Sequence, residues 1–345
     1  MTRDFFRQFS SRKTMYKNFK KRLFLVPALL LFLLSSCATP PPLQPPDEKI
    51  LLYTIEDNEM LLSRFAPVFA IEDAQERYNK IGTPSAQLGP DNQEIISVDP
   101  EKTTIYARQD QFTTEKGSYT NLIYRIHFEE VPGGFFPYHL TEGKNVGLLF
   151  IITLNSRNEP ILYTSVHTCG CYLAFVPTSY TPPDMLPKGW HKERQTVYSE
   201  SLPGLLAHRS DSPEQDKVVF VIRGGTHRVK DIWLADGGFL PDYKKITADL
   251  QPFGALEMLP LGEQRATSFY ETTGPRKGYV KGSYKSRERL YMSWWAFDWR
   301  IGEDKKLGKD KEDGVTFYTS LKPWAREASD LRDFVTFARY WEWDF

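Results

Sequence analysis

Apolar and polar positions alternate with a period of two through much of the middle of the chain. Leu122, Tyr124, Ile126 and Phe128 interleave with Asn121, Arg125, His127 and Glu129, the pattern of a strand with one buried face. On that pattern His127 belongs to the solvated side. Val146 to Leu154 is almost unbroken apolar and of strand length, and Asn155-Ser156-Arg157-Asn158 turns the chain after it. Ile161 to Val176, Val218 to Arg223 and Ile232 to Leu234 continue the series, the last two closed by Gly224-Gly225 and Asp236-Gly237-Gly238. Short strands between turn signals predict a mainly β fold with a β-sandwich-like core. Two flanking segments read as helices. Leu51, Leu52, Ile55, Met60, Leu61, Leu62 and Phe65 predict a short helix within residues 50–66, stopped near Pro67. Residues 326–343 predict an amphipathic helix opened by Ser329, with Leu331, Phe334, Val335, Ala338 and Trp341 on one side. Residues 302–314 mix Glu, Asp and Lys between glycines and read as a solvated loop.

The N-terminus follows another pattern. Lys17, Lys20, Lys21 and Arg22 precede an apolar run from Leu23 to Leu34, broken only by Pro27, and Ser35-Ser36-Cys37 follows. A run this short behind a basic flank is a secretory signal, because a bilayer span needs ~20 apolar residues. Met15 gives the signal a more usual length than Met1 does. Leu34-Ser35-Ser36-Cys37 resembles the lipobox of bacterial lipoproteins. The resemblance implies removal of residues 1–36, lipidation of the Cys37 sulfur and acylation of its amine, with palmitate as an expected acyl chain. Ala38, where an acidic residue would signal retention at the inner membrane, implies an outer-membrane lipid anchor facing the periplasm. Residues 37–49 then hold the lipidated cysteine and a Pro-rich, extended, semi-rigid tether. Residues 50–345 form a single mainly-β globular domain, since no repeat or second linker divides them.

Composition narrows the function classes. With 345 residues, 41% hydrophobic and 26% charged, the chain is neither collagen-like, coiled-coil nor wholly disordered. Basic and acidic residues balance at 44 each. Residues 1–36 take away eight of the basic and one of the acidic residues, so the mature chain has a formal charge of −7. That balance argues against nucleic acid as a partner. Three cysteines are too few for a disulfide scaffold.

All six histidines and the two cysteines beyond Cys37 fall between residues 127 and 227. The sharpest motif is His167-Thr168-Cys169-Gly170-Cys171. In a strand, His167, Cys169 and Cys171 share a face. Imidazole and thiolate together suit zinc or copper. In a straight strand, however, positions 167 and 171 are ~13 Å apart, so a shared ion requires the chain to bend. Gly170 is the residue that permits it. His139 and His227 are the candidates for a further ligand. The same cysteines also allow a disulfide, which needs Cβ atoms ~3.8 Å apart and so again a bend; such a tight ring would be easily reduced, a redox rather than a structural bond. A nucleophilic thiol with a histidine base and a pair of inert buried thiols are the other readings. There is no H-E-x-x-H, G-x-S-x-G, P-loop, Rossmann glycine pattern or C-x-x-C-H.

Phe65-Ala66-Pro67-Val68, the apolar strand before Asn155, the stretch from Tyr163 to His167, and Val219-Phe220-Val221-Ile222-Arg223-Gly224-Gly225-Thr226-His227 resemble, in order, the blocks of the vacuolar-sorting-associated and necrosis-inducing β-sandwich families. The resemblance spans about half of the mature chain and implies a β-sandwich. Six of the eight tryptophans lie in the last 52 residues. Such aromatics are expected mainly in the core, with stacking on a glycan or a protein partner as the alternative. Two functional expectations result: a transition-metal or redox site at His167, Cys169 and Cys171, or a non-catalytic envelope protein that binds or scaffolds.

Overall fold

The computed structural model describes residues 49–134, 140–209, 212–235, 240 and 242–345. Cys37, the tether up to residue 48 and His139 lie outside them. The first strands in chain order are β1 (Leu51–Ile55), β2 (Val68–Ile71), β3 (Thr83–Leu88), β4 (Glu94–Asp99), β5 (Thr104–Thr114) and β6 (Gly117–Val131). Next come β7 (Gly143–Leu154), β8 (Pro160–His167), β9 (Ala174–Pro177), β10 (Gln195–Val197) and β11 (Glu200–Leu202). The last are β12 (Lys217–Ile222), β13 (Val229–Ala235), β14 (Lys244–Pro252), β15 (Leu259–Leu261) and β16 (Arg265–Thr267). Among the described residues three α-helices join them: α1 (Leu61–Arg64), α2 (Ser286–Ala296) and α3 (Phe334–Tyr340).

Ten strands make one mixed sheet in the order β13-β12-β2-β1-β14-β5-β6-β7-β8-β9. Strands β5 to β9 form an antiparallel meander, with Ile126 of β6 opposite Leu148 of β7, and Leu148 opposite His167 of β8. The sheet folds over on itself. Phe69 of β2 and Phe220 of β12 meet Phe150 of β7 across the core, with ring centroids 4.8 and 4.6 Å apart. The expectation of a mainly β, sandwich-like core therefore holds, and a continuous sheet provides both layers.

Strand β7 is covered on both faces, which explains its unbroken apolar run. Val146, Leu148, Phe150 and Ile152 enter the core inside the fold. Leu149 and Ile151 enter a second core closed by Phe317, Leu331, Phe334, Phe337 and Trp343. The alternation of Trp341, Trp343 and Phe345 thus serves packing: Trp343 and Phe345 are buried and Trp341 packs alongside.

Several expectations are corrected. Residues 51–55 are a strand, paired in parallel with β14 from Leu51 opposite Lys244 to Ile55 opposite Ala248; only Leu61–Arg64 is helical. The C-terminal helix is shorter than 326–343. It is capped by Asp333, whose carboxylate accepts from the Thr336 N–H at 3.1 Å, and not by Ser329. His127 is buried, since the second face of β6 is also covered. Its Nε2 accepts from Arg125 Nε at 2.9 Å, and burial holds its pKa well below the usual imidazole value. The charged run 302–314 is solvated only in its second half: Glu303, Asp304 and Lys305 are buried. Among the six C-terminal tryptophans, 294, 295, 299 and 324 are exposed rather than in the core.

Candidate functional site

Strand β8 ends at His167, and the chain reverses at once. The Gly170 N–H donates to the His167 carbonyl at 2.8 Å, and the His167 N–H donates to the Cys171 carbonyl at 2.9 Å. Thr168 ties the turn to the sheet: its N–H donates to the Gly147 carbonyl at 2.8 Å, and its hydroxyl oxygen lies 2.9 Å from the same carbonyl oxygen. Gly170 has φ +93°, in the left-handed region that favours glycine. A Cβ there would also lie 2.1 Å from the Tyr318 carbonyl oxygen. The bend at Gly170 that a shared ion or a disulfide would need is therefore present, and only glycine fits it.

The turn brings the two thiols together. The Cys171 N–H donates to Cys169 Sγ at 3.4 Å, and each thiol shifts the ionisation of the other. Cys169 is buried and Cys171 half-buried. Four charged side chains, all buried, close around them. Cys171 Sγ lies 3.6 Å from Glu288 Oε1 on the inner side of α2. Lys285, which precedes α2, pairs with Asp304, Nζ to Oδ2 at 3.1 Å. Asp304 in turn accepts from the Thr168 hydroxyl. The Lys305 ammonium donates to the Cys169 carbonyl and lies 4.4 Å from the centre of the Tyr318 ring. Gly302, at φ +78°, lets the backbone pass beneath Glu288: a Cβ there would sit 2.1 Å from its Oε2.

These neighbours divide the two thiol protons. Burial opposes ionisation of Cys169, but the hydrogen bond from Cys171 and the charge of Lys285 outweigh it and hold that thiol below its ordinary range. The hydrogen bond to Cys169, burial and the Glu288 charge push the Cys171 thiol well above it. The pair thus gives up one proton readily and retains the second. Burial also raises the Glu288 carboxyl, against the pull of Lys285 and Lys305.

The histidines lie apart from this pair. The His167 ring meets Tyr172, centroids 4.7 Å apart, and the backbone of His227, and burial and Lys285 keep it neutral. The His227 ring stacks on Phe128, centroids 3.9 Å apart, and its Nε2 donates to Asn79 Oδ1 at 3.3 Å. Burial lowers its pKa to about 3. Among the described residues, no three His, Cys, Asp or Glu side chains converge as a metal-holding group. Of the sequence candidates, Cys169 and Cys171 are brought together, His167 and His227 are neighbours through the backbone, and His139 lies outside the described residues. Lys285, Glu288, Asp304 and Lys305 were missed. They stand more than a hundred residues from the thiols in the chain, and no local motif marks them. No family model, curated protein or solved structure matches the chain.

Proposed function

We propose that this is a lipid-anchored envelope protein, held to the outer membrane through Cys37 and facing the periplasm, whose Cys169–Cys171 pair carries thiol–disulfide redox chemistry. The observation that carries the reading is the adjacent pair of thiols, held on a glycine turn with the Cys171 N–H on Cys169 Sγ and with Lys285 and Glu288 beside them. A thiolate is the nucleophile in disulfide exchange. Cys169 ionises first, and by taking up the Cys171 proton its thiolate frees the half-buried Cys171 sulfur as the nucleophile at the site's open edge. Its sulfur attacks a disulfide of a protein or small-molecule oxidant, forming a mixed disulfide and expelling one oxidant sulfur as thiolate. Cys169 then attacks the Cys171 sulfur, closing the Cys169–Cys171 bond and expelling the second oxidant sulfur. The pair loses two electrons and two protons, and the oxidant's two sulfurs gain them as thiols. In reverse the same steps reduce the pair.

The test is thiol counting, intact mass and elemental analysis on protein purified from a periplasm without chelators. Two thiols that disappear on exposure to oxidised glutathione and return with a reductant, with a mass change of two hydrogens absent in Cys171→Ser, support the reading. Two thiols inert to both reagents sink it and leave the non-catalytic binding role. About one equivalent of zinc or copper, lost in Cys169→Ser, replaces it with a metal site.

A further inference from the structure

We infer that the outer face of α2 and the chain just after it dock on an anionic lipid surface. The inner side of α2 is occupied, with Glu288, Ser293 and Ala296 buried. Its outer side carries Leu290, Trp294 and Trp295, and the chain nearby adds Phe297, Trp299 and Trp324. All six are between 54% and 82% exposed. Soluble proteins seldom leave so many large apolar side chains uncovered in one stretch without a partner for them.

Charge indicates which partner. Among the described residues, Arg289, Arg300 and Arg326 have no carboxylate within ion-pair distance. Arg289 instead lies over the Tyr284 and Trp299 rings, 5.3 and 5.6 Å from their centres. Arg287 is neutralised by Glu142 at 3.0 Å. The one acid of α2, Glu288, faces inward, and Asp298, which accepts from the Tyr318 hydroxyl, offsets one of the three arginine charges and leaves the face net cationic. The face is therefore aromatic and cationic on a mature chain whose net charge is negative. Tryptophan and tyrosine with arginine are the residues that settle at a bilayer interface, apolar face inward and cation at the headgroups. The inference does not use the thiol chemistry and shares only the Cys37 anchor with the preceding proposal. It places lipid on one side of α2 and the thiol pair on the other.

The test uses the full chain, lipidated in cells and reconstituted into vesicles of phosphatidylethanolamine and phosphatidylglycerol with brominated acyl chains, which quench nearby indoles. The first tryptophan in the sequence is Trp190, so the emission reports on the globular part alone. Docking predicts loss of roughly half the emission relative to unbrominated vesicles, the share of the four exposed indoles, with little loss in phosphatidylcholine. Trp294→Ser/Trp295→Ser, both at exposed positions, should halve that loss, and Arg289→Gln/Arg300→Gln should reduce it at physiological salt. Flotation without quenching overturns the inference, and so does equal quenching in phosphatidylcholine. A stable dimer in which Trp294 and Trp295 are shielded from acrylamide assigns the face to a second copy, and overturns it as well. Flotation that survives Cys37→Ser in phosphatidylcholine overturns the anchor alone; a lipidated chain that does not float in anionic vesicles overturns both.

Discussion

Replacing Lys285 with methionine removes one charge from the buried cluster and keeps most of the side-chain volume. Lys285 and Asp304 are 2% and 1% exposed, with Nζ 3.1 Å from Oδ2. Removing one partner of such a pair strands the other charge away from water, at a cost of ~3–5 kcal/mol. Asp304 retains the Thr168 hydroxyl and the Gly147 N–H, the latter at 3.3 Å, as donors. The expected loss is therefore at the lower end, about 3 kcal/mol. Urea unfolding at neutral pH reads it as a lower midpoint at unchanged slope. Because the loss reflects a stranded carboxylate, Lys285→Met/Asp304→Asn should recover most of it. A second readout ties the charge to the thiols. Lys285 favours the Cys169 thiolate, so the pH profile of iodoacetamide alkylation should move to higher pH in Lys285→Met. A cost under about 1 kcal/mol together with an unmoved alkylation profile would refute the picture of a dry ion pair poised against the thiols.

Gly170→Ala combines a positive φ with a Cβ pressed onto the Tyr318 carbonyl, so it should cost about 3 kcal/mol and slow closure of the Cys169–Cys171 bond; unchanged urea midpoints and oxidation rates would contradict this. Stability should fall with acid. His127, His167 and His227 stay neutral in the folded protein, the last down to about pH 3, whereas an unfolded imidazole takes up a proton below ~6.5. The unfolded state then binds more protons, so the contribution of the three rings is complete above that pH. It is lost on acidification, at roughly 4 kcal/mol per pH unit for three rings. Flat urea midpoints between pH 7 and pH 5 would show that the folded rings take up protons as readily as the unfolded ones. Phe150→Ala, at the meeting point of Phe69 and Phe220, should lose ~3–5 kcal/mol by the same assay. Cys37→Ser should abolish incorporation of radiolabelled palmitate and release the protein from membranes; continued labelling would place the acyl chain elsewhere.

The sequence by itself determined the central strands β6, β7, β8 and β12 and the turns between them. The alternation around Leu122–Phe128 and the apolar run of Val146–Leu154 are local patterns, and a strand's period is a property of its own residues. It also marked Gly170 as the one place where the chain could bend, which a shared ion or a disulfide would need, because two thiols two positions apart cannot meet along a straight strand. What covers each face of a strand is not local. His127 sits on what reads as a polar face, and only the chain packed over β6 makes that face an interior one. Leu51–Ile55 reads as helical because its partner, β14, lies nearly two hundred residues away. The tertiary structure alone placed Lys285, Glu288, Asp304 and Lys305 around Cys169 and Cys171. It likewise sorted the tryptophans, sending Trp343 inward and leaving Trp294, Trp295, Trp299 and Trp324 exposed. A buried charge is tolerated only where a distant partner meets it, and an aromatic ring is covered only where another element arrives. Both conditions are set by folding rather than by neighbours in the chain.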